Sequence, residues 1–267
     1  MIHSPGSAKG VAMDYRTMFS LKGRKAIITG GTSGMGAAVA EGFGALGARV
    51  AVAGRNRERG LAGVERIRSL GGEGDFFLVE ITDPQSVEGM VRAVKDLYGR
   101  IDILVNAAGI FRVGPCETLS DSAWDEVMKT NLHGTFYACR AVGRIMIEQK
   151  YGKIINFSST DAYLGVQNQP AYCASKGAVN QLTRVLAVDW IKHGINVNAI
   201  GPCDFATPMI EPFLNTEEYR TWIVGALPAG RVGQAPEIVG AAIYLASEAS
   251  KMVVGHTLMV DGGRTVI

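Results

Sequence analysis

KAIITGGTSGMGAAVAEGFGALGARVAVAG, residues 25–54, is the stretch that decides the fold. Residues 25–29 form a short apolar run that ends in Gly30, Gly31, Gly34 and Gly36. An alanine-rich segment up to Leu46 then has the character of a helix, and residues 49–53 make a second apolar run. The order is strand, glycine turn, helix, strand. Such a turn aims backbone N–H groups and the positive end of a helix dipole at an anion, and the missing side chains let a pyrophosphate come close. The chain holds 34 glycines, so a glycine-rich segment is a weak signal alone, and its place between a strand and a helix is what gives it meaning.

The second strand stops at Gly54-Arg55-Asn56-Arg57. In a dinucleotide-binding βαβ unit this point meets the adenosine ribose, where an acidic residue would accept hydrogen bonds from the 2′-hydroxyl of NAD. No acid stands at Gly54 or Arg55. The Arg55 guanidinium, helped by Ser33, Asn56 or Arg57, suits a 2′-phosphate, which favours NADP(H) over NAD(H). The plainer reading makes these arginines the solvated start of a helix.

The pattern then repeats along the chain. Residues 57–70 read as a helix closed by Gly71-Gly72, and residues 75–81 as a third strand. Asp83-Pro84 supplies an N-cap followed by proline at the first helical position, for a helix to Tyr98 that stops at Gly99. Residues 103–105 are a fourth strand, and Asn106-Ala107-Ala108-Gly109 after it leaves room for a flat ring against the backbone. Residues 122–149 read as one long helix containing Asn131 and loosened by Gly134. Residues 153–157 are a fifth strand, residues 170–193 a helix ended by Gly194, and residues 195–200 a sixth strand running into Gly201-Pro202-Cys203. Residues 208–227 are irregularly apolar and read as one or two short helices over a ligand, a lid. Pro236 opens a last helix to about Glu248, and residues 257–260 are a seventh strand. Alternating strands and helices of this kind pair in parallel with right-handed crossovers, giving an α/β doubly wound sheet covered on both faces, with ligands at the C-terminal strand ends. The chain shows no domain boundary and no internal repeat.

In SSTDAYLGVQNQPAYCASK, residues 158–176, the helix from Pro170 places Tyr172 and Lys176 at i and i+4 on one face. A free tyrosine ionises near pH ~10, and a cation held close favours the phenolate. Ser159 stands where the fifth strand stops, so both hydroxyls can reach one carbonyl oxygen. A Tyr–Lys pair at this spacing ordinarily covers helix surface, so the chemistry depends on the rest of the chain.

Composition restricts the partners. With 267 residues, 47% of them hydrophobic, and a net charge of +2, the chain suits one α/β unit and lacks the basic surface of a nucleic-acid binder. Cys116, Cys139, Cys173 and Cys203 form no CxxC pair and the four histidines are scattered, so neither disulfides nor a metal is expected. A reducing cytoplasm fits best. Residues 1–19 carry no apolar signal core and read as a flexible extension, with Met13 an alternative start and residues 20–267 the domain. No run of about 18 apolar residues occurs, which argues against a membrane span.

Thr29-Gly30-x-x-x-Gly34-x-Gly36, Asn106-Ala107-Ala108-Gly109, Asn131, Ser159 and Tyr172-x-x-x-Lys176, in this order and at these separations, resemble the short-chain dehydrogenase/reductase family. The resemblance runs from about Phe19 to the C-terminus. It implies a Rossmann-type seven-stranded sheet of order 3-2-1-4-5-6-7 and a homotetramer or homodimer. It also implies an NADP(H)-dependent oxidoreductase that moves a hydride between the nicotinamide and a carbonyl or secondary alcohol. Tyr172 is then the general acid/base. Lys176 holds the nicotinamide ribose and lowers the phenol's pKa, Ser159 binds the carbonyl oxygen, and Asn131 anchors a water relay.

The cofactor-contacting positions so implied are Gly30, Thr32, Ser33, Met35, Gly36, Arg55, Asn56, Glu80, Ile81, Asn106, Ala107, Gly109, Tyr172, Lys176, Pro202, Phe205 and Thr207. Substrate would meet Ser159, Asp161, Gln167, Tyr172, Cys203 and Asp204. Two positions depart from the family pattern. Glu80 replaces an aspartate beside the adenine, and Cys203 replaces a glycine beside the nicotinamide. No base adjoins Cys203, so a nucleophilic role has no support.

The mixed polar and apolar residues after Ser159 and Pro202 suit a hydroxylated substrate. The chain is also similar to the sugar-acid and polyol dehydrogenases of the family around Leu227-Pro228-Ala229-Gly230-Arg231, and slightly less so to 3-oxoacyl-[acyl-carrier-protein] reductases. Asp161 and Asp204 weigh against a nearby carboxylate. A non-catalytic dinucleotide sensor is the reading from another class, and the intact Asn131, Ser159, Tyr172 and Lys176 set argues against it. The glycine spacing and the lack of a larger C-terminal substrate domain argue against an epimerase or dehydratase.

Overall fold

Side chains of a strand alternate between faces, and in β1 (Lys25–Thr29) Ala26 and Ile28 pack into one hydrophobic layer while Ile27 packs into the other. The same division holds in β4 (Ile103–Asn106), where Ile103 and Val105 face one layer and Leu104 the opposite one. These residues are fully buried, and each isoleucine, leucine or valine among them contributes roughly 1.5–3 kcal/mol relative to exposure. In the computed structural model, which describes residues 15–267, this two-faced pattern runs through a seven-stranded parallel sheet.

The remaining strands of that sheet are β2 (Arg49–Gly54), β3 (Glu73–Leu78), β5 (Gly152–Phe157), β6 (Ile195–Pro202) and β9 (Thr257–Val260). Their order is β3-β2-β1-β4-β5-β6-β9, the expected arrangement with the seventh strand ninth in chain count. Ile27 stands opposite Ala51 on one side and Leu104 on the other. One face is covered by α1 (Gly34–Ala45), α2 (Arg57–Ser69) and α9 (Val239–Ala246), through Val39, Phe43, Val64, Ile67, Ala242 and Leu245. The other is covered by α3 (Pro84–Tyr98), α5 (Gly134–Gln149) and α6 (Pro170–Trp190), through Val87, Val94, Val142, Met146 and Leu186.

Local signals end the helices where the sequence places them. Asp83 Oδ1 accepts from Gln85 N at 2.9 Å, Pro84 follows the cap, and Gly99 closes α3 in the left-handed region at φ 77°. Two boundaries differ from expectation. Strand β3 stops at Leu78, because β2 ends at Gly54 and leaves only Val79 N bonded to Gly54 O, at 3.2 Å. Residues 122–149 are not one regular helix. α4 (Asp121–Met128) passes through a π-helical turn, Lys129–His133, into α5, and Asn131 sits in that wide turn. Gly134 follows it to make room: a Cβ there would lie 2.7 Å from Ile81 Cγ1.

Residues 1–14, including the alternative start at Met13, lie outside the described residues. Within the rest of the expected extension, Met18 O accepts from Ala249 N at 3.3 Å and the Phe19 ring lies 6.4 Å from that of Tyr244, so residues 18–19 dock on the C-terminal part of the fold. Between β6 and α9 the chain forms α7 (Glu211–Leu214) and α8 (Glu217–Gly225). Strands β7 (Phe205–Ala206) and β8 (Gly233–Gln234) pair in parallel and tie the two ends of this lid segment together. Two-residue strands leave no periodic trace in a sequence. Among the described residues no helix is long and apolar enough to cross a membrane.

Candidate active site

Strand β1 delivers Gly30 to a position that only glycine fills. Its φ is +69°, and a Cβ would meet Ala108 N at 2.6 Å and the Ala107 carbonyl carbon at 2.7 Å. A Cβ on Gly36 would lie 2.4 Å from Gly30 O. The turn and the first residues of α1 therefore form an open cradle of backbone at the strand ends. Around it lies a cleft lined by Gly30, Thr32, Ser33, Met35, Gly36, Arg55, Asn56, Glu80, Ile81, Ala107, Gly109 and Thr207, all expected from the sequence.

Asn106 is not among them. Its side chain turns into the core, donating to Asn156 Oδ1 at 2.9 Å and to Cys139 Sγ at 3.2 Å, while Asn156 donates on to Thr183 Oγ1 at 2.9 Å. Arg59, Val79, Ile110 and Thr130 line the cleft without having been anticipated. Arg59 had a legible signal. Asn56 caps α2 by accepting from Arg59 N at 2.8 Å, which puts Arg59 in the first turn beside the ribose end, and it is Arg59 rather than Arg57 that lines the cleft. Arg55 is largely exposed and its guanidinium lies 3.8 Å from Glu80 Oε2. The other Glu80 oxygen is held by Thr82, from N at 3.1 Å and Oγ1 at 2.8 Å. A screened surface contact of this kind rearranges readily around a ligand.

The cleft opens into a second cavity, with Met35, Ala107, Gly109, Phe157, Thr207 and Met209 lining both. Ser159, at the end of β5, and Tyr172 and Lys176, on the first turns of α6, line it together with Asp161, Pro202, Cys203, Asp204 and Phe205. Lys176 Nζ donates to Phe157 O at 2.8 Å and lies 5.5 Å from the centre of the Tyr172 ring. Burial lowers the Lys176 ammonium to about 8.

The phenol does not shift in the direction the sequence suggests. Tyr172 is pushed above its ordinary value, first by burial and then by the charges of Asp161 and Asp204, while a hydrogen bond with Ser159 acts the other way. A cation 5.5 Å from the ring does not offset the loss of solvent around the phenol.

Asn131 fixes the site from beneath. Its Oδ1 accepts from Ile110 N at 2.8 Å, and its Nδ2 donates to Ile110 O at 3.0 Å and Ser175 Oγ at 3.1 Å. The side chain thus ties the segment after β4 to the residue next to Lys176. Asn131→Ala would strand buried partners on two segments at a cost of about 2–3 kcal/mol, read by chemical denaturation. Unchanged stability would refute this positioning role.

Gln167, expected at the substrate, is exposed and outside the cavity; Gln169 is buried and lines it. Asn168, at φ 62°, turns the chain between them, and its carbonyl is bound by Gly114 N at 2.8 Å. Cys203 lines the cavity, and burial with the nearby Asp204 charge raises its thiol to about 12, which keeps it protonated and unreactive. Burial raises Asp161, and burial with the Asp161 charge raises Asp204 to about 6.

The roof is aromatic. Phe111 meets Tyr172 edge-on at 5.3 Å and Phe213 at 5.6 Å; Phe213 meets Tyr219 at 5.3 Å, and Tyr219 meets Trp222 at 5.5 Å. Arg264 lies over Trp222 at 5.7 Å and lines the cavity. It arrives through the left-handed pair Gly262 and Gly263, at φ 60° and 89°.

A family model described as enoyl-(acyl carrier protein) reductase matches residues 30–265. Gluconate 5-dehydrogenase of Gluconobacter oxydans (strain 621H) is 41% identical over 254 residues, covering 95% of this chain and 99% of that protein. Galactitol 2-dehydrogenase (L-tagatose-forming) of Cereibacter sphaeroides is 39% identical over 261 residues, covering 95% and 100%. Among solved structures, a gluconate 5-dehydrogenase from Burkholderia cenocepacia J2315 in complex with NADP and tartrate superimposes with a TM-score of 0.90 at 38% identity, covering 94% of this chain and 98% of that one.

Proposed function

The chain belongs to the short-chain dehydrogenase/reductase family, and on that premise we propose that it reversibly transfers a hydride between NADP(H) and the carbonyl or secondary alcohol of a sugar, sugar acid or polyol. It is an oxidoreductase of CH–OH groups that uses a nicotinamide dinucleotide. The observation that carries the finer reading is the continuity of the two cavities. Ser159, Tyr172 and Lys176 line the space that adjoins the glycine cradle, across a boundary formed by Gly109, Phe157 and Thr207.

The cleft fits the cofactor. A Cβ at Gly30 would strike the backbone of Ala107 and Ala108, and one at Gly36 would strike Gly30 O, so only glycine lets the turn close as it does and present its N–H groups to a pyrophosphate. Arg55, Asn56 and Arg59 stand at the ribose end, where no carboxylate follows β2 directly. Bound there, the nicotinamide supplies or accepts the hydride. Tyr172 delivers a proton to the carbonyl oxygen in reduction and recovers it in oxidation. Ser159 holds that oxygen, and its Oγ is itself placed by Asp161 N at 3.1 Å. Lys176, anchored on Phe157 O, places positive charge beside the phenol and offers donors to the ribose. The lid helices and their aromatic rings keep water from the reacting centre.

A 3-oxoacyl thioester reductase is the weaker reading, since two partly buried carboxylates line the cavity that an acyl chain would need. A homo-oligomer in the cytoplasm completes the proposal. The test is oxidation of NADPH and NADH, followed at the nicotinamide absorbance, against ketoses, keto-sugar acids, diketones and a 3-oxoacyl thioester. Cofactor binding without turnover on the whole panel would favour the sensor reading. The 2′-phosphate reading has its own check. Arg55→Ala combined with Arg59→Ala should weaken NADPH about 30-fold, from lost charge-assisted bonds, and leave NADH nearly unchanged. Equal losses would refute it.

A further inference from the structure

The polar groups of the substrate cavity are unbalanced. Gln169 is only 7% exposed, lines the cavity, and its Oε1 has no hydrogen-bond partner. Asp161 and Asp204 also line it, and among the described residues neither carboxylate forms an ion pair within 4.0 Å. Asp161 accepts from Thr160 Oγ1 at 3.1 Å, while Asp204 has only its own backbone N–H. Against these acceptors stands the Arg264 guanidinium, whose buried Nε has no partner and whose Cζ lies 5.7 Å from the centre of the Trp222 ring.

A buried acceptor left unpaired is costly, so the ligand that suits this cavity brings donors. A carboxylate brings only acceptors and a negative charge, and it would meet two partly buried carboxylates; of the two cations in the wall, Lys176 is directed to Phe157 O and Arg264 is left to balance them. A hydroxyl group serves both needs, donating to Asp161, Asp204 or Gln169 and accepting from Arg264.

We propose that Asp161, Asp204 and Gln169 select an uncharged polyol or its ketose and reject the matching aldonate, with Arg264 as counter-ion to the two acids. This rests on the oxidoreductase reading above and narrows its substrate to the polyol side. The role belongs to the substrate's non-reacting hydroxyls, since Ser159 and Tyr172 hold the reacting oxygen.

The test uses matched pairs: hexitols against aldonates of the same length and configuration in oxidation, and the corresponding ketoses against keto-aldonates in reduction. The wild-type enzyme should show a kcat/KM for the neutral member at least about tenfold above that for the acid, about the effect of one like-charge contact. Asp161→Asn and Asp204→Asn keep the side-chain size, remove a charge and add a donor. In each, the neutral substrate should lose and the acid gain, shifting the ratio by about tenfold or more. Any change they cause in Tyr172 acts on both substrates alike and leaves the ratio unmoved. Gln169→Leu should weaken the neutral substrate without helping the acid. NADPH affinity, measured by fluorescence, should stay constant and reports an intact fold. A wild-type preference for the aldonate, or a ratio unmoved in both aspartate variants, overturns the inference while the oxidoreductase reading stands. No turnover of either class with either cofactor overturns both.

Discussion

Tyr172→Phe is expected to lose at least about 10³-fold in kcat, within the range for removing a general acid/base, while NADPH affinity changes by less than about twofold. The substitution is conservative where it needs to be. The phenyl ring keeps its edge-on packing against Phe111 at 5.3 Å, so the aromatic roof stays in place and only the hydroxyl is gone. Ser159 and Lys176 cannot take over. The serine hydroxyl is an aliphatic alcohol and a far weaker acid than a phenol, and the lysine ammonium is directed to Phe157 O.

The raised phenol also sets a direction with pH. A group whose pKa is raised keeps its proton through neutral pH, so carbonyl reduction finds the acid already loaded. Alcohol oxidation needs the phenolate, and its rate should climb as pH rises into the alkaline range. Steady-state assays of the variant and of the wild-type pH profile test both points. More than about a tenth of wild-type turnover in the variant would remove Tyr172 from the chemistry.

Gly36→Ala is expected to cost about 100-fold in cofactor affinity, which corresponds to about 2.7 kcal/mol, with a loss of stability as well. The methyl group would lie 2.4 Å from Gly30 O and 2.9 Å from the Gly30 carbonyl carbon. Both are backbone atoms of the turn and neither can rotate away. Gly30 is pressed in its turn against the backbone of Ala107 and Ala108, so a shift of the turn pushes on the segment after β4. The cradle and the floor of the nicotinamide site therefore move together. Titration of NADPH fluorescence and denaturant unfolding would measure both losses. Unaltered affinity would mean that the anion is held elsewhere.

Much of this was legible in the chain because it depends on period and position. Alternation of strands and helices fixes a parallel sheet and places the special residues at one edge. Helical spacing puts Tyr172 over Lys176, and a strand end delivers Ser159 opposite them. What was not legible depends on burial or on contacts between distant segments. Spacing alone shows that a cation stands near the phenol but not how completely both are desolvated, so the direction of the Tyr172 shift came out reversed. Arg264 enters the cavity from the last residues of the chain, a meeting set by tertiary structure alone. Gln167 and Gln169 exchange roles because Asn168 between them adopts a left-handed conformation. Asn106 belongs to a motif at a strand end, yet its side chain alternates into the core. Arg59 could have been found by taking the Asn56 cap literally and asking which side chains its first turn presents.

The buried chain of bonds from Asn106 through Asn156 to Thr183 works as a key for assembly. Apolar layers tolerate sliding, since one valine can take another's place at small loss. A strand displaced by one residue moves about 3.3 Å and would present Ile155 or Phe157, which have no amide to offer, where Asn156 now bonds to both neighbours. Ser159 lies three residues beyond Asn156 on the strand side, and Lys176 lies seven residues, two helical turns, before Thr183 on the helix side. The polar link thus sets the height of α6 against β5, and with it the height of Tyr172 against Ser159. Alignment of the reacting groups is decided in the interior, before any ligand arrives.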